Sequence, residues 1–120
     1  MVVFWGGWSQ PGLELVRLAE AWHRRRAQTR VEVVTFDWEL PGRSPFIESI
    51  ARRTARAENL TLPVLLDHDR ETWTRFGGSG FPQAFFVDRQ GRMVRITFGG
   101  VWRADSMTAW VEALGRDELR

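Results

Sequence analysis

Ser9 is the residue best placed to do chemistry. It follows the short apolar run Val2-Val3-Phe4-Trp5 and a Gly6-Gly7 break, and it stands two residues before Pro11. That order reads as strand, loop and helix start. A hydroxyl there meets the unpaired N–H groups and the positive end of a helix. It can bind an anion, polarise a small thiol such as glutathione, or simply cap the helix. No His or Lys neighbours it in sequence to act as a base, so the cap is the stronger reading. The two histidines, His23 and His68, offer little. A transition-metal site needs several converging ligands, and His68 has only Asp67 and Asp69 beside it. Asp69 is better read as a helix cap, and no metal is expected. A Ser-His-Asp triad built on Ser9 would need an oxyanion hole that no spacing here supplies.

The chain has 120 residues and no cysteine. That length suits a single domain over residues 1–120, with enough buried surface to fold without disulfides or metal. The missing cysteines exclude disulfide frameworks, zinc–thiolate and iron–sulfur sites, and thiol nucleophiles. There are 17 basic and 15 acidic residues, a net charge of +2, and every basic residue is Arg. The surface is therefore nearly balanced, and nucleic-acid binding gains little support. The Arg-rich stretches (Arg24 to Arg26; Arg52, Arg53, Arg56) read as solvated helix faces balanced by Glu20, Glu48 and Glu58. No window of 18 apolar residues predicts a membrane span. No signal peptide precedes the first strand. As written, the chain is expected to be cytoplasmic, or exported or membrane-anchored if an N-terminal segment has been removed.

Strands and helices alternate, which predicts an α/β fold. Val2–Trp5 reads as a buried strand. The next helix puts Leu15, Leu18, Ala19 and Trp22 on one stripe, and Arg24 to Arg26 close it. Residues 31–37 (VEVVTFD) form the second strand. Ser44 and Pro45 are expected to open a second helix with Phe46, Ile47, Ile50 and Thr54 on its inner face. Residues 62–67 (LPVLLD) form a short extended piece. Asp69 is expected to cap a short helix carrying Trp73 and Phe76. Residues 83–88 and 92–98 form a hairpin around Arg89-Gln90-Gly91. Asp105 is expected to cap a last helix with Met107, Trp110, Val111 and Leu114 inward.

Two segments carry a family resemblance. Val3-Phe4-Trp5-Gly6-Gly7-Trp8-Ser9-Gln10-Pro11-Gly12 resembles the F-W-x-x-W-C-x-P-C strand–loop–helix of thioredoxin-like proteins. The pair Leu62-Pro63-Val64-Leu65-Leu66-Asp67 and Gly80-Phe81-Pro82-Gln83 through Asp88-Arg89-Gln90-Gly91-Arg92 is similar to the TlpA-type branch. These are thiol–disulfide oxidoreductases related to peroxiredoxins of the AhpC/TSA kind. The likeness spans residues 2–114, without the family's N-terminal hairpin. It implies a thioredoxin-like α/β fold: at least four mixed strands flanked by three or four helices. The strand order it implies is 31–37, 2–5, 83–88, 92–98, with the last two antiparallel to the first two.

The resemblance breaks at the chemistry. The two cysteines of the family motif fall on Ser9 and Gly12. Dithiol exchange needs a thiolate that attacks a sulfur, and neither residue supplies one. An oxidoreductase label taken from likeness alone would therefore mislead. What the resemblance leaves is a groove of Trp8, Ser9, Gln10, Pro11, Phe81 and Pro82. There the Phe81–Pro82 bond is expected to be cis, with the Phe81 backbone turned toward an extended peptide. The expected function is a protein- or peptide-binding module without redox activity and without a cofactor. The alternative is a Ser9-based transferase or isomerase handling a small thiol such as glutathione; a purely structural role is the third reading. Glu39 falls where the family often carries an acid below the cysteines; it reads as that relic or as a loop Glu paired with an Arg. Of the seven tryptophans, Trp5, Trp22, Trp73 and Trp110 lie in core patterns. Trp8 and Trp38 are expected either to join Phe81 in an apolar patch or to lie scattered and half-buried.

Overall fold

A computed structural model of the chain describes residues 1–39, 46–98 and 103–120. Five strands form one sheet: β1 (Val2–Trp5), β2 (Val34–Asp37), β3 (Val64–Leu66), β4 (Gln83–Val87) and β5 (Met93–Ile96). Their spatial order is β3-β2-β1-β4-β5. The all-apolar run of β1 takes the central place because it has a covering layer on both faces. It pairs parallel with β2 in the register Val2↔Val34 to Trp5↔Asp37, and antiparallel with β4. β3 adds parallel to β2 at the edge, and β4 and β5 form the hairpin. Only β4 therefore opposes β1. β5, antiparallel to β4, runs back along β1, which corrects the expectation that both late strands oppose the first two: a tight hairpin must reverse direction.

The helices are α1 (Gln10–Arg24), the short α2 (Arg26–Thr29), α3 (Ile47–Ala57), the short α4 (Glu71–Arg75) and α5 (Ala104–Gly115). The apolar stripe of α1 and the inward residues Met107, Val111 and Leu114 of α5 join Val3, Trp5, Val33, Ala84 and Phe86 in the main core. Alternation along β1 sends Phe4 to the opposite face. There it stacks on Phe36 and meets Phe76 and Phe85 edge-on, with centroids 5.1, 5.5 and 5.6 Å away. Two sheet faces are thus filled by two different apolar sets.

Several expected helix starts differ. Asp69 does not cap; its φ is +54° inside a turn of 3₁₀ helix. The carboxylate of Asp67 instead accepts the Thr72 and Trp73 N–H groups at 2.8 and 2.9 Å. Asp105 lies inside the first turn of α5, whose N-cap is Arg103 without a side-chain bond. Phe46 is 66% exposed rather than inward. Ser44 and Pro45 lie outside the described residues, as does Trp102. The hairpin turn is held by Asp88, whose carboxylate accepts from the Arg92 and Gln90 N–H groups and the Arg92 guanidinium. Those bonds, the Arg92 backbone first, hold its pKa below the usual range. Among the described residues, no helix is long and apolar enough to cross a membrane.

Candidate functional site

The C-terminal ends of β1 and β2, the start of α1 and the loop before β4 converge at one edge of the sheet. β1 delivers Gly6 to Trp8 to the first turn of α1. Ser9 has extended backbone angles, and its Oγ accepts the Gly12 N–H at 3.1 Å. It is an N-cap in geometry. Pro11 follows at the start of the helix, and Gln10 and Pro11 are exposed.

Gly12 is buried against the preceding loop. A Cβ built there would lie 2.9 Å from the Gly6 carbonyl oxygen and 3.2 Å from the Gly6 nitrogen. The backbone of Gly6 has closed over the place where a second motif side chain would stand. Gly12→Cys is therefore expected to cost about 1–3 kcal/mol, because the nearest obstacles are backbone atoms that move only with the loop. Urea unfolding checks this; an unchanged midpoint would mean that the loop yields freely.

Trp8, Trp38 and Phe81 come together. Trp8 stacks on Phe81 with centroids 5.1 Å apart and planes 6° apart. Trp38 meets Phe81 edge-on at 4.8 Å and Trp8 at 6.0 Å. The Trp8 indole N–H donates to the Trp38 carbonyl at 2.8 Å, yet Trp8 remains 47% exposed. Trp73 extends the cluster, 6.4 Å from Trp38, and donates to the Gly80 carbonyl at 3.0 Å.

The Phe81–Pro82 peptide bond is cis. Among the described residues, the Phe81 N–H and C=O make no hydrogen bond. Gln83 fixes the loop that presents them. Fully buried, it accepts the Ser79 and Gly80 N–H groups and donates to Ser79 Oγ and the Thr97 carbonyl. Sequence reading treated Gln83 only as the first residue of a strand. A polar residue opening an otherwise apolar strand was the available signal.

Beneath the loop lie two carboxylates. Glu39 is 4% exposed and accepts the Gly7 N–H at 3.1 Å. It lies in the loop after β2 but is turned inward, and among the described residues no Arg bonds to it. Asp37, which sequence reading passed over, is 1% exposed, and neither of its oxygens has a hydrogen-bond partner. Burial first, then the Glu39 carboxylate beside it, pushes the Asp37 pKa up to about 9. The Glu39 carboxylate beside it therefore acts on Asp37 as a neighbouring like charge, and burial keeps the proton on. Trp5, the in-register neighbour of Asp37 on β1, also has a buried indole N–H without a partner. The histidines stand apart: His68 is exposed in the turn before α4, and His23 is buried at the end of α1 beside Arg26. Among the described residues, no three His, Cys, Asp or Glu side chains converge as metal ligands.

No family model matches the sequence, and no curated protein matches it. Solved structures do match by shape. A thiol-disulfide isomerase from Corynebacterium glutamicum superposes with a TM-score of 0.79 at 19% identity, over 94% of this chain and 77% of that one. StoA from Bacillus subtilis gives 0.74 at 19%, over 92% and 80%. A secreted Mycobacterium tuberculosis disulfide oxidoreductase gives 0.75 at 17%, over 94% and 79%. What the chain shares with these proteins is the thioredoxin-like fold of thiol–disulfide oxidoreductases, carried here by a sequence without a single cysteine.

Proposed function

We propose that this chain is a thioredoxin-like module that has lost dithiol exchange and binds a protein or extended peptide along the groove between Ser9 and the Phe81–Pro82 loop. The observation that carries the reading is the free backbone pair of Phe81 beside a partly exposed aromatic cluster. An unpaired N–H and C=O at the end of a strand can accept an added strand. The neighbouring rings supply apolar area at small entropic cost, as aromatic anchors of binding sites do. Electron transfer has no carrier, because a hydroxyl does not form a mixed disulfide. Ser9 Oγ already receives the Gly12 N–H, which supports a capping role for it and gives the thiol-handling alternative no support.

Insulin reduction with dithiothreitol is expected to proceed at the uncatalysed rate; acceleration would refute the loss of exchange. Panning a displayed library of random linear peptides is expected to return a convergent set. Trp8→Ala should weaken those peptides about tenfold, the size of one anchor residue. Failure to return convergent peptides, or a set indifferent to both Trp8→Ala and Phe81→Ala, would refute the groove.

A further inference from the structure

Arg70 stands on the aromatic cluster. Its guanidinium carbon lies 4.7 Å from the Trp38 ring centroid and 6.0 Å from that of Trp73. Arg17, Arg52, Arg75 and Arg116 each hold a carboxylate, whereas the exposed Arg25, Arg53, Arg56 and Arg103 hold none among the described residues; what sets Arg70 apart from these is its place on the rings. Among the described residues, the Arg70 guanidinium makes no hydrogen bond and no ion pair. Stacking occupies the face of a guanidinium and leaves its N–H edge outward, where the fork matches the two oxygens of a carboxylate.

The segment that carries Arg70 is held in place. Asp69 and Arg70 both have positive φ, 54° and 58°, a pair of left-handed residues without glycine. The Asp67 carboxylate accepts the Thr72 and Trp73 backbone N–H groups, and Thr74 Oγ donates to the Arg70 carbonyl at 2.8 Å. A conformation that the chain does not favour is thus maintained by several bonds at once, as at preorganised binding positions. Trp38 touches both the Arg70 guanidinium and the Phe81 ring, so the cationic fork and the residue with the free backbone pair are neighbours of one indole.

Resting on the groove reading above, we infer that the bound segment is an acidic extended peptide: its backbone pairs with Phe81 and an Asp or Glu side chain meets the Arg70 fork. Charge complementarity selects this occupant, because Arg70 is the one cation stacked on the cluster among the described residues. A neutral or basic segment would leave that fork unanswered.

The test uses the full chain and the peptides returned by panning. Their sequences are expected to carry Asp or Glu at a fixed distance from an apolar or aromatic residue. Changing that acid to its amide should weaken binding about tenfold on the native chain and leave binding to Arg70→Gln unchanged. Arg70→Lys should recover only part, since an ammonium lacks the planar fork. Peptides that need Trp8 but show no acidic preference would overturn the Arg70 assignment alone. Absence of any Trp8-dependent peptide would overturn both this assignment and the groove. Equal amide penalties on native and Arg70→Gln chains would overturn the pairing. Competition by free acetate as potent as that by the peptide would assign the fork to a small anion and overturn the peptide.

Discussion

Asp37→Asn is expected to abolish most of the loss of stability that the native chain shows between pH 5 and pH 8. Asp37 is 1% exposed and has no hydrogen-bond partner on either oxygen. Across the sheet it faces Trp5 on β1 and Leu66 on β3, neither of which carries charge. The nearest ionisable group is Glu39, of the same sign. The folded pKa of Asp37, pushed up to about 9, lies above the ordinary value of 3.8. The folded chain therefore keeps a proton that the unfolded chain has released. The stabilising contribution is whole below the unfolded value and drains away as pH rises toward the folded one, by roughly 1.4 kcal/mol per pH unit. Asparagine keeps the shape and cannot ionise, so its curve should be nearly flat there. Glu39→Gln should lie between, because it removes the like charge but not the burial. Urea unfolding at pH 5, 6.5 and 8 decides; native and Asn chains with parallel pH curves would sink the claim.

Much of this arrangement was readable from the residue order, and the parts that were not share a cause. The alternation of apolar strands and amphipathic stripes placed β1, β2, the hairpin and the two long helices. Ser9 and Pro11 marked the start of α1 because capping is local chemistry, decided within three residues. Asp37 was missed because an acid at the end of an apolar run looks like a strand terminator. Its face is set by pairing with β1, where Val33, Thr35 and Asp37 alternate inward. Asp67 and Asp69 are equally good caps by type. The choice fell to Asp67 because the chain turns left-handed at 69 and 70, which puts the earlier carboxylate over the α4 amides. The aromatic cluster is assembled from three separate loops. Sequence could name Trp8, Trp38 and Phe81 as neighbours once a strand order was assumed, but not the stacking of Arg70 on Trp38, which depends on that same turn. Glu39 was readable as an acid under the motif only through resemblance; its bond to Gly7 is a long-range contact between two strand ends.

The same distinction between local and long-range bonds makes Glu20 the residue whose loss should damage the fold most among the charged ones. From the middle of α1, 6% exposed, it accepts the Thr61 N–H and hydroxyl and the Leu62 N–H, and it takes the Arg24 guanidinium at 2.8 Å. These bonds fasten the lead-in of β3, an edge strand paired only through β2, to the central helix. Burial alone would raise its pKa; the donors from Thr61, Arg24 and Leu62 outweigh that and bring it down to about 2, from 4.5. A depressed carboxylate stabilises the fold above its unfolded value, and the contribution is lost as pH falls through the folded one. The size is about 3 kcal/mol at neutral pH. Glu20→Ala also strands two backbone N–H groups near the core, so a loss of about 3–5 kcal/mol is expected, with the pH dependence between 4.5 and 2 flattened. Glu20→Gln should lose about half, keeping an acceptor but not the charge. Glu48→Ala is the control: its pair with Arg52 is exposed on both sides, at 65% and 68%, and should change stability by less than about 0.5 kcal/mol. Hydrogen exchange should show the Leu62 and β3 amides opening first in Glu20→Ala. A loss below about 1 kcal/mol, or β3 amides as protected as in the native chain, would show that the edge strand is held by apolar contacts with α3 rather than by this carboxylate.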